Sequence, residues 1–309
     1  MSAPEISVIV PARNAAHEII AFLDAVLGQD LDAARYEVLV IDDASTDDTA
    51  AIVEADGRAR LLHTPHWGGA YFARNVGIAE AGGDLFAFTD ADCRPYAGWL
   101  TGALAAFAQS GADLVAGHIE VPLAARPSGV EIVDFARNLD QERAVAEGGF
   151  GATANLIVPR AVIDAVGTFN DSLIGSGDQD LCHRAAAAGH RLVYAPEAIV
   201  RHPPRTTAYG LMRRSFRDGF DRTQRIRHAS RETESRIWTG LGWWVPSALV
   251  GRRRIVGFER LDREGIALTR RQRLAAAVAE YGCIQLPAIA GSLASTVGEG
   301  WWRRKRTSR

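Results

Sequence analysis

The sequence predicts an α/β fold in which a mostly parallel central sheet is flanked by helices and followed by a helical carboxyl-terminal extension. Three observations carry this expectation. Short β-branched runs alternate with single helical segments through the amino-terminal third, two of those runs end in closely spaced acids, and the composition changes after Pro203-Pro204.

Glu5–Val10 is an apolar strand that stops at Pro11, and Ala12-Arg13-Asn14 follows as a loop. Ile19, Phe22, Leu23, Val26 and Leu27 then repeat at helical spacing up to Gly28. Tyr36–Ile41 is a second strand, ending in Asp42-Asp43. Ser45 to Asp48 reads as a capping box that opens a helix running to about Ala55. Arg60–His63 is a third strand, followed by Trp67-Gly68-Gly69 and a helix through Arg74, Asn75 and Ala79. Leu85–Thr89 is the fourth, and it runs directly into Asp90-Ala91-Asp92. Strands separated by single helices imply a parallel sheet with right-handed crossovers, whose carboxyl-edge loops collect ligands.

Past Pro95 a helix holding Trp99, Leu100, Leu104 and Phe107 leads to a strand in Ala112–Val121. Residues 128–147 have helical spacing, and the glycine-rich loop Gly148–Asn155 enters a strand ending at Pro159. Residues 160–167 form a short helix and Phe169–Gly177 a loop. Asp178–Gly189 is a helix with acids in its first turn and glycine at its end. Two strands, Arg191–Ala195 and Ala198–His202, close this part, which places the main boundary near residue 205. The expected organisation is a catalytic domain over 1–205, with a ligand-binding half 1–95 and a second half 96–205, then an extension over 206–309.

The extension differs in charge. Residues 1–200 carry 12 Arg and 28 acids, whereas 201–309 carry 23 Lys+Arg and 9 acids, so a formal net charge of −2 hides halves of −16 and +14. A basic third of this kind suits a phosphate-bearing partner such as anionic lipid, a nucleotide diphosphate or nucleic acid. Tyr209–Arg227 is an Arg-rich helix with Leu211, Phe216 and Phe220 on one side, and 228–236 reads as a polar linker. Ile237–Val250 is apolar, Arg252-Arg253-Arg254 follows it, Thr269–Tyr281 is a basic helix, Gly282–Val297 is apolar, and Trp301-Trp302 precede a last basic cluster. Neither apolar stretch reaches the roughly 20 clean residues of a membrane span. Trp and Arg flanking apolar helices instead suit an anionic membrane surface. No nucleic-acid motif accompanies the positive charge, so nucleic acid is not an expected partner. Cys93, Cys182 and Cys283 lack paired metal spacing and read as reduced thiols; with no secretory signal apparent, a cytoplasmic protein at the inner face of the cell membrane is expected.

Asp90 and Asp92, one residue apart at a strand's carboxyl end, suit a hard divalent cation that carries a substrate's phosphates. Four stretches in order then resemble one family: Val8-Ile-Val-Pro11-Ala-Arg-Asn14; Val40-Ile-Asp42-Asp43-Ala-Ser45-Thr-Asp47; Ala73-Arg74-Asn75-Val-Gly77 leading to Thr89-Asp90-Ala91-Asp92; and Gly177-Asp178-Gln-Asp180-Leu181 leading to His202. Together these are similar to the family-two glycosyltransferases, inverting enzymes of the GT-A fold that use nucleotide-diphosphate sugars, over about residues 5–205.

The resemblance implies a role for each position. Asp43, helped by Asp42, accepts hydrogen bonds from the donor's base, and Pro11 and Asn14 shape the loop under base and ribose. Arg74 balances the donor's charge. Asp92 is a direct metal ligand with Asp90 as helper and His202 completing the shell around Mn²⁺ or Mg²⁺. Asp178 is the general base on an acceptor hydroxyl. Many relatives have Glu-Asp where this chain has Gly177-Asp178, a departure that bears on the acceptor side. Asp180 is read as structural, paired with Arg184 one turn on. The resulting expectation is an inverting, metal-dependent transferase that takes a UDP-sugar to a glycan or lipid-linked acceptor of the cell envelope. The alternatives are a catalytically silent nucleotide-sugar-binding module and a nucleotidyltransferase; a dinucleotide-binding dehydrogenase is disfavoured by the lack of Gly-x-Gly-x-x-Gly after a strand.

Overall fold

The computed structural model describes residues 3–232 and 259–290, apart from 174 and 289, with backbone alone for 221–232. Cα packing divides the chain into two units, 1–122 with 139–203, and 123–138 with 204–309.

The first unit holds one eight-stranded sheet in the order β3-β2-β1-β4-β7-β6-β8-β5. Its amino-terminal half is parallel throughout: β1 (Ile6–Ala12) lies between β2 (Tyr36–Asp42) and β4 (Leu85–Phe88), and β3 (Arg60–His63) extends the β2 edge. These strands are apolar runs because both faces are covered. Ile6, Val8, Ile9, Val10, Leu39, Val40, Ile41, Phe86 and Phe88 are all buried, each worth roughly 1.5–3 kcal/mol in transfer free energy. Helices α1 (Ile19–Leu27), α2 (Thr49–Asp56) and α3 (Ala70–Glu80) make the crossovers. α3 approaches the sheet closely at Gly77, where a Cβ would stand 2.6 Å from Ile9 and 2.9 Å from Ile41.

β1 continues through Pro11 rather than stopping at it. Pro11 sits two residues past the last β1–β4 pair, Ile9↔Phe88, where β1 has become an edge on that side and tolerates proline. α2 begins at Thr49 without a capping box: Asp48 makes no side-chain cap, and the Asp47 carboxylate instead accepts from the Thr49 N–H and hydroxyl.

The sheet's second half is mixed. β7 (Leu156–Pro159) runs antiparallel to β4 and to β6 (Leu114–Glu120), while β8 (Leu192–Arg201) is parallel to β6. Helices α4 (Trp99–Ser110), α6 (Gln141–Gly148), α7 (Arg160–Val166) and α8 (Gly177–Ala187) complete this unit. The two strands expected at 191–195 and 198–202 are one strand interrupted by a bulge. The register passes from Gly117↔Ala195 to His118↔Ile199, leaving residues 196–198 of β8 unmatched. Asn155, fully buried, fills the irregularity: its amide donates to the carbonyls of His118 and Ala198, and its side-chain oxygen accepts from the Trp99 indole, each at 2.8 Å.

The stretch expected to be helical over 128–147 is two helices, α5 (Gly129–Arg137) and α6, parted at Leu139, which has φ 57°. α5 belongs to the second unit with α9 (Ala208–Glu232), α10 (Glu259–Arg263) and α11 (Arg270–Ala279). Both α5 and α11 open with true capping boxes, Ser128/Glu131 and Thr269/Gln272. α9 carries its helix to Glu232, into the segment read as a linker, because nothing in 228–232 breaks a helical run. Arg137 pairs with the buried Glu280, and Arg260 donates to the carbonyls of Phe135 and Asn138 at 2.9 and 2.8 Å. Ile237–Val250, Arg252–Arg254 and residues 291–309 lie outside the described residues. Among the described residues, no helix is long and apolar enough to cross a membrane.

Candidate active site

The carboxyl ends of β1, β2 and β4 converge on one rim, and side chains from their loops tie them together. Asn14, with φ 51°, accepts from the Thr46 N–H at 2.8 Å and donates its own N–H to the Ser45 hydroxyl at 3.0 Å. Arg13 donates to the Asp43 carbonyl at 2.7 Å and lies over the Trp67 ring at 4.9 Å. Residues 11–14 and 42–47 thus form one rigid ledge.

Asp42 and Asp43 are both buried but differently engaged. The Asp43 carboxylate accepts from the N–H groups of Gly68 and Gly69 at 2.9 and 2.8 Å and from the Thr64 hydroxyl at 3.1 Å. It therefore fixes the 64–69 turn that leads into α3 and does not cap α2. Asp42 receives the Ser45 N–H at 3.3 Å and has the His63 ring 3.7 Å away, while its Oδ1 has no protein donor. A buried carboxylate oxygen without a partner is a costly feature that a ligand N–H or O–H would relieve.

Arg74 projects from α3 and is only 3% exposed. Its Nη2 donates to Asp90 Oδ1 at 2.5 Å, it lies 5.6 Å from the Tyr71 ring, and its Nε is buried without a partner. A buried guanidinium with donor capacity left over suits an anion arriving beside Asp90.

The two-residue strand β5 (Arg94–Pro95) pairs antiparallel with the end of β8, Arg94 opposite Arg201. That register brings the 90–93 turn beside His202, and ligand atoms of Asp90, Asp92, Cys93 and His202 all lie within 4.8 Å of one another. His202 Nε2 is 3.7 Å from Asp92 Oδ1. Its Nδ1 is 2.7 Å from the Pro203 carbonyl, an acceptor, so Nδ1 donates there and the ring is held with Nε2 facing Asp92. An imidazole nitrogen with two carboxylates is a donor set for Mn²⁺, and for Mg²⁺ through its oxygens. The Cys93 thiol is pushed well above its ordinary range by burial and then by Asp90 and Asp92, so it stands among these groups as a neutral thiol.

Asp178 lies half-buried in the first turn of α8, two residues past Ser176 with φ 56°. A Cβ on Gly177 would come within 2.8 Å of the Tyr71 ring, so Tyr71 occupies the space that a longer residue at 177 would need. Tyr71 also stacks on Phe169 and borders Arg74. Gly177, Tyr71, Arg74 and Asp90 therefore form a continuous line from the start of α8 to the acidic turn. Asn75, quoted in the sequence motif without a role, clamps the Phe169 backbone through both halves of its amide, at 2.8 and 3.0 Å. It anchors the loop that delivers Asp178. Asp180 pairs with Arg184 at 2.9 Å, as its spacing implies.

This arrangement is that of a GT-A sheet with an acidic, cation-competent rim, and the chain belongs to glycosyl transferase family 2. The sequence model described as "Glycosyl transferase family 2" matches residues 7–148. The glycosyltransferase AglE of Haloferax volcanii is 34% identical over 220 residues, 70% of this chain and 72% of that protein. The fold is shared with a mannosyltransferase of Pyrobaculum calidifontis solved with GDP-Man and Mn²⁺, at TM-score 0.64 and 19% identity over 97% of this chain and 89% of that one. It is also shared with S. aureus TarS 1-349 solved with UDP-GlcNAc, at TM-score 0.57 and 18% identity over 98% and 92%.

Proposed function

We propose that the chain is an inverting, metal-dependent glycosyltransferase that moves a sugar from a nucleotide-diphosphate donor, with a UDP-sugar as the expected one, to a hydroxyl of an envelope glycan or lipid-linked acceptor. What carries the reading is the meeting of Asp90, Asp92 and His202, its ring oriented by the Pro203 carbonyl, at the end of an Arg74–Tyr71–Gly177 line that begins beside Asp178.

In this reading Pro11, Asn14 and Asp43 form the floor and wall for base and ribose, and Asp42 offers its unpartnered oxygen to a base N–H. Arg74 faces the diphosphate. Asp92 and His202 would hold the cation, with Asp90 positioned by Arg74 as helper. A bound Mn²⁺ or Mg²⁺ supplies charge neutralisation to the diphosphate as it leaves. Asp178 takes the proton of the acceptor hydroxyl while its oxygen bonds to the sugar's anomeric carbon. The bond from that carbon to the diphosphate breaks on the opposite face, its electron pair leaving with the nucleotide, so configuration inverts. The basic segment 206–309 is the part assigned to an anionic membrane surface, which would hold the enzyme at the cytoplasmic face beside its acceptor. AglE as a relative in sequence, and the mannosyltransferase and TarS as relatives in fold, lend support.

Asp178→Asn tests the assignment. Loss of a general base is expected to lower turnover by about 10²–10⁴-fold, while nucleotide-sugar affinity measured by calorimetry stays at the wild-type value. Undiminished turnover would remove Asp178 from the mechanism. Screening UDP-, GDP- and dTDP-sugars for Mn²⁺-stimulated hydrolysis identifies the donor.

A further inference from the structure

The helical run from Arg270 has two faces that ask for different surroundings. Inward, Ala276, Ala279, Glu280 and Cys283 are buried, and the helix closes on α5 so tightly that a Cβ on Gly129 would stand 2.4 Å from the Ala275 carbonyl. Outward, Leu274 (67%), Val278 (66%), Tyr281 (55%) and Leu286 (58%) are, among the described residues, the most exposed large apolar side chains of the second unit after Tyr209. They follow one stripe, because 274, 278 and 281 share an α-helical face and the π-helical turn Glu280–Gln285 makes the five-residue step to 286 close to one turn.

Charge on this stripe has one sign. Arg270, Arg271 and Arg273 are exposed in the first turn of α11, and the only acid between 270 and 290, Glu280, is buried against Arg137. Three cations in a first turn oppose the helix dipole, an unfavourable placement that an anionic surface would reverse. Acids would also be expected on a helix that meets only water, and none is exposed here.

We infer that the exposed face of residues 270–286 is a docking surface for an anionic phospholipid bilayer, with Leu274, Val278, Tyr281 and Leu286 entering the headgroup region and the arginines meeting lipid phosphates. A protein partner would leave unexplained why apolar bulk and exposed arginines, with no exposed acid in 270–290, share one stripe; a bilayer interface accommodates both. This deepens the reading of 206–309 as the membrane-facing segment and rests on it.

The test uses the full chain and vesicles of phosphatidylcholine with and without about one third phosphatidylglycerol, scored by flotation. Wild type is expected to float with the anionic vesicles and not with phosphatidylcholine alone. Leu274→Ser with Val278→Ser, and separately Arg270→Glu with Arg271→Glu, should each weaken partition at least about tenfold, with far-ultraviolet circular dichroism and nucleotide-sugar hydrolysis unchanged. A bimane label on Leu274→Cys should shift to the blue on anionic vesicles, and one on Asp262→Cys should not. Variants that float like wild type with an unshifted label at 274 overturn this surface while leaving a membrane-facing 206–309 intact. Wild type that ignores anionic vesicles, or binds a polyanion such as heparin in their place, overturns both. Neither outcome touches the transferase reading, which fails only on donor turnover.

Discussion

Arg74 and Asp42 are each buried with a polar atom that no protein group satisfies, and in a folded core such atoms are rare unless a ligand completes them. Arg74 already spends one nitrogen on Asp90. Replacing it with Met leaves Asp90 without its cation and removes the donors that the proposed function assigns to the diphosphate. Arg74→Met is therefore expected to weaken nucleotide-sugar binding by about tenfold or more, the scale of one charge-assisted hydrogen bond, as read by calorimetry, and unchanged affinity would mean that the guanidinium serves only the fold. Asp92→Asn separates metal from nucleotide more directly, since it keeps the shape of the turn and removes the charge. Its Mn²⁺ requirement in a hydrolysis titration should rise steeply while His202 keeps its ring orientation through the Pro203 carbonyl.

At the level of elements, the parallel half was legible because its signals are local. Apolar runs of strand length, helical repeats between them, and acids just past Ile41 and Thr89 all sit in short windows of sequence. What escaped was set by partners far along the chain. The β8 bulge depends on Asn155 meeting carbonyls 37 and 43 residues away, and β5 exists only because the end of β8 arrives beside it. The site shows the same division. Asp42, Asp43, Asp90 and Asp92 could be read from position, whereas the use of Asp43 on the Gly68-Gly69 backbone, the Asn75 clamp and the Tyr71 ring against Gly177 are long-range contacts that no spacing announces. The last of these gives the missing side chain at 177 a physical cause. Gly177→Ala would drive a methyl into the ring, and overpacking of this kind costs about 1–3 kcal/mol. Combining it with Tyr71→Ala should recover most of that loss, so a double-mutant cycle by urea titration should return a coupling of comparable size. Additive losses would show that the helix start, not the ring, sets the requirement for glycine. Asn155→Ala is expected to cost about 2–4 kcal/mol, because the Trp99 indole and two strand carbonyls lose their partner in a dry site, and a matching fall in thermal midpoint checks it.

The whole molecule joins an acidic sheet unit to a basic helical one, and the three cysteines report on both. Cys93 and Cys182 lie in the first unit and Cys283 in the second, all buried. Burial raises each thiol above its ordinary range, Cys182 up to about 12, so in the native protein at pH 8 each is protonated, shielded and slow to alkylate. Opening of its surroundings restores an ordinary thiol and rapid reaction. The first unit buries Trp99, Phe22, Phe86, Phe88, Phe169 and most of the large aliphatics, while α11 turns alanines inward and its larger apolar residues outward. Less apolar area removed from water means less stabilisation per residue. Pulsed iodoacetamide labelling along a urea gradient, read by mass spectrometry of cysteine peptides, is accordingly expected to show Cys283 reacting at lower urea than Cys93 and Cys182, which react together. A single midpoint for all three would mean that the two units unfold as one cooperative body; a split between Cys93 and Cys182 would mean that the mixed half of the sheet opens apart from the parallel half, and that the β4–β7 seam is weaker than its buried pairs Phe86↔Val158 and Phe88↔Leu156 imply.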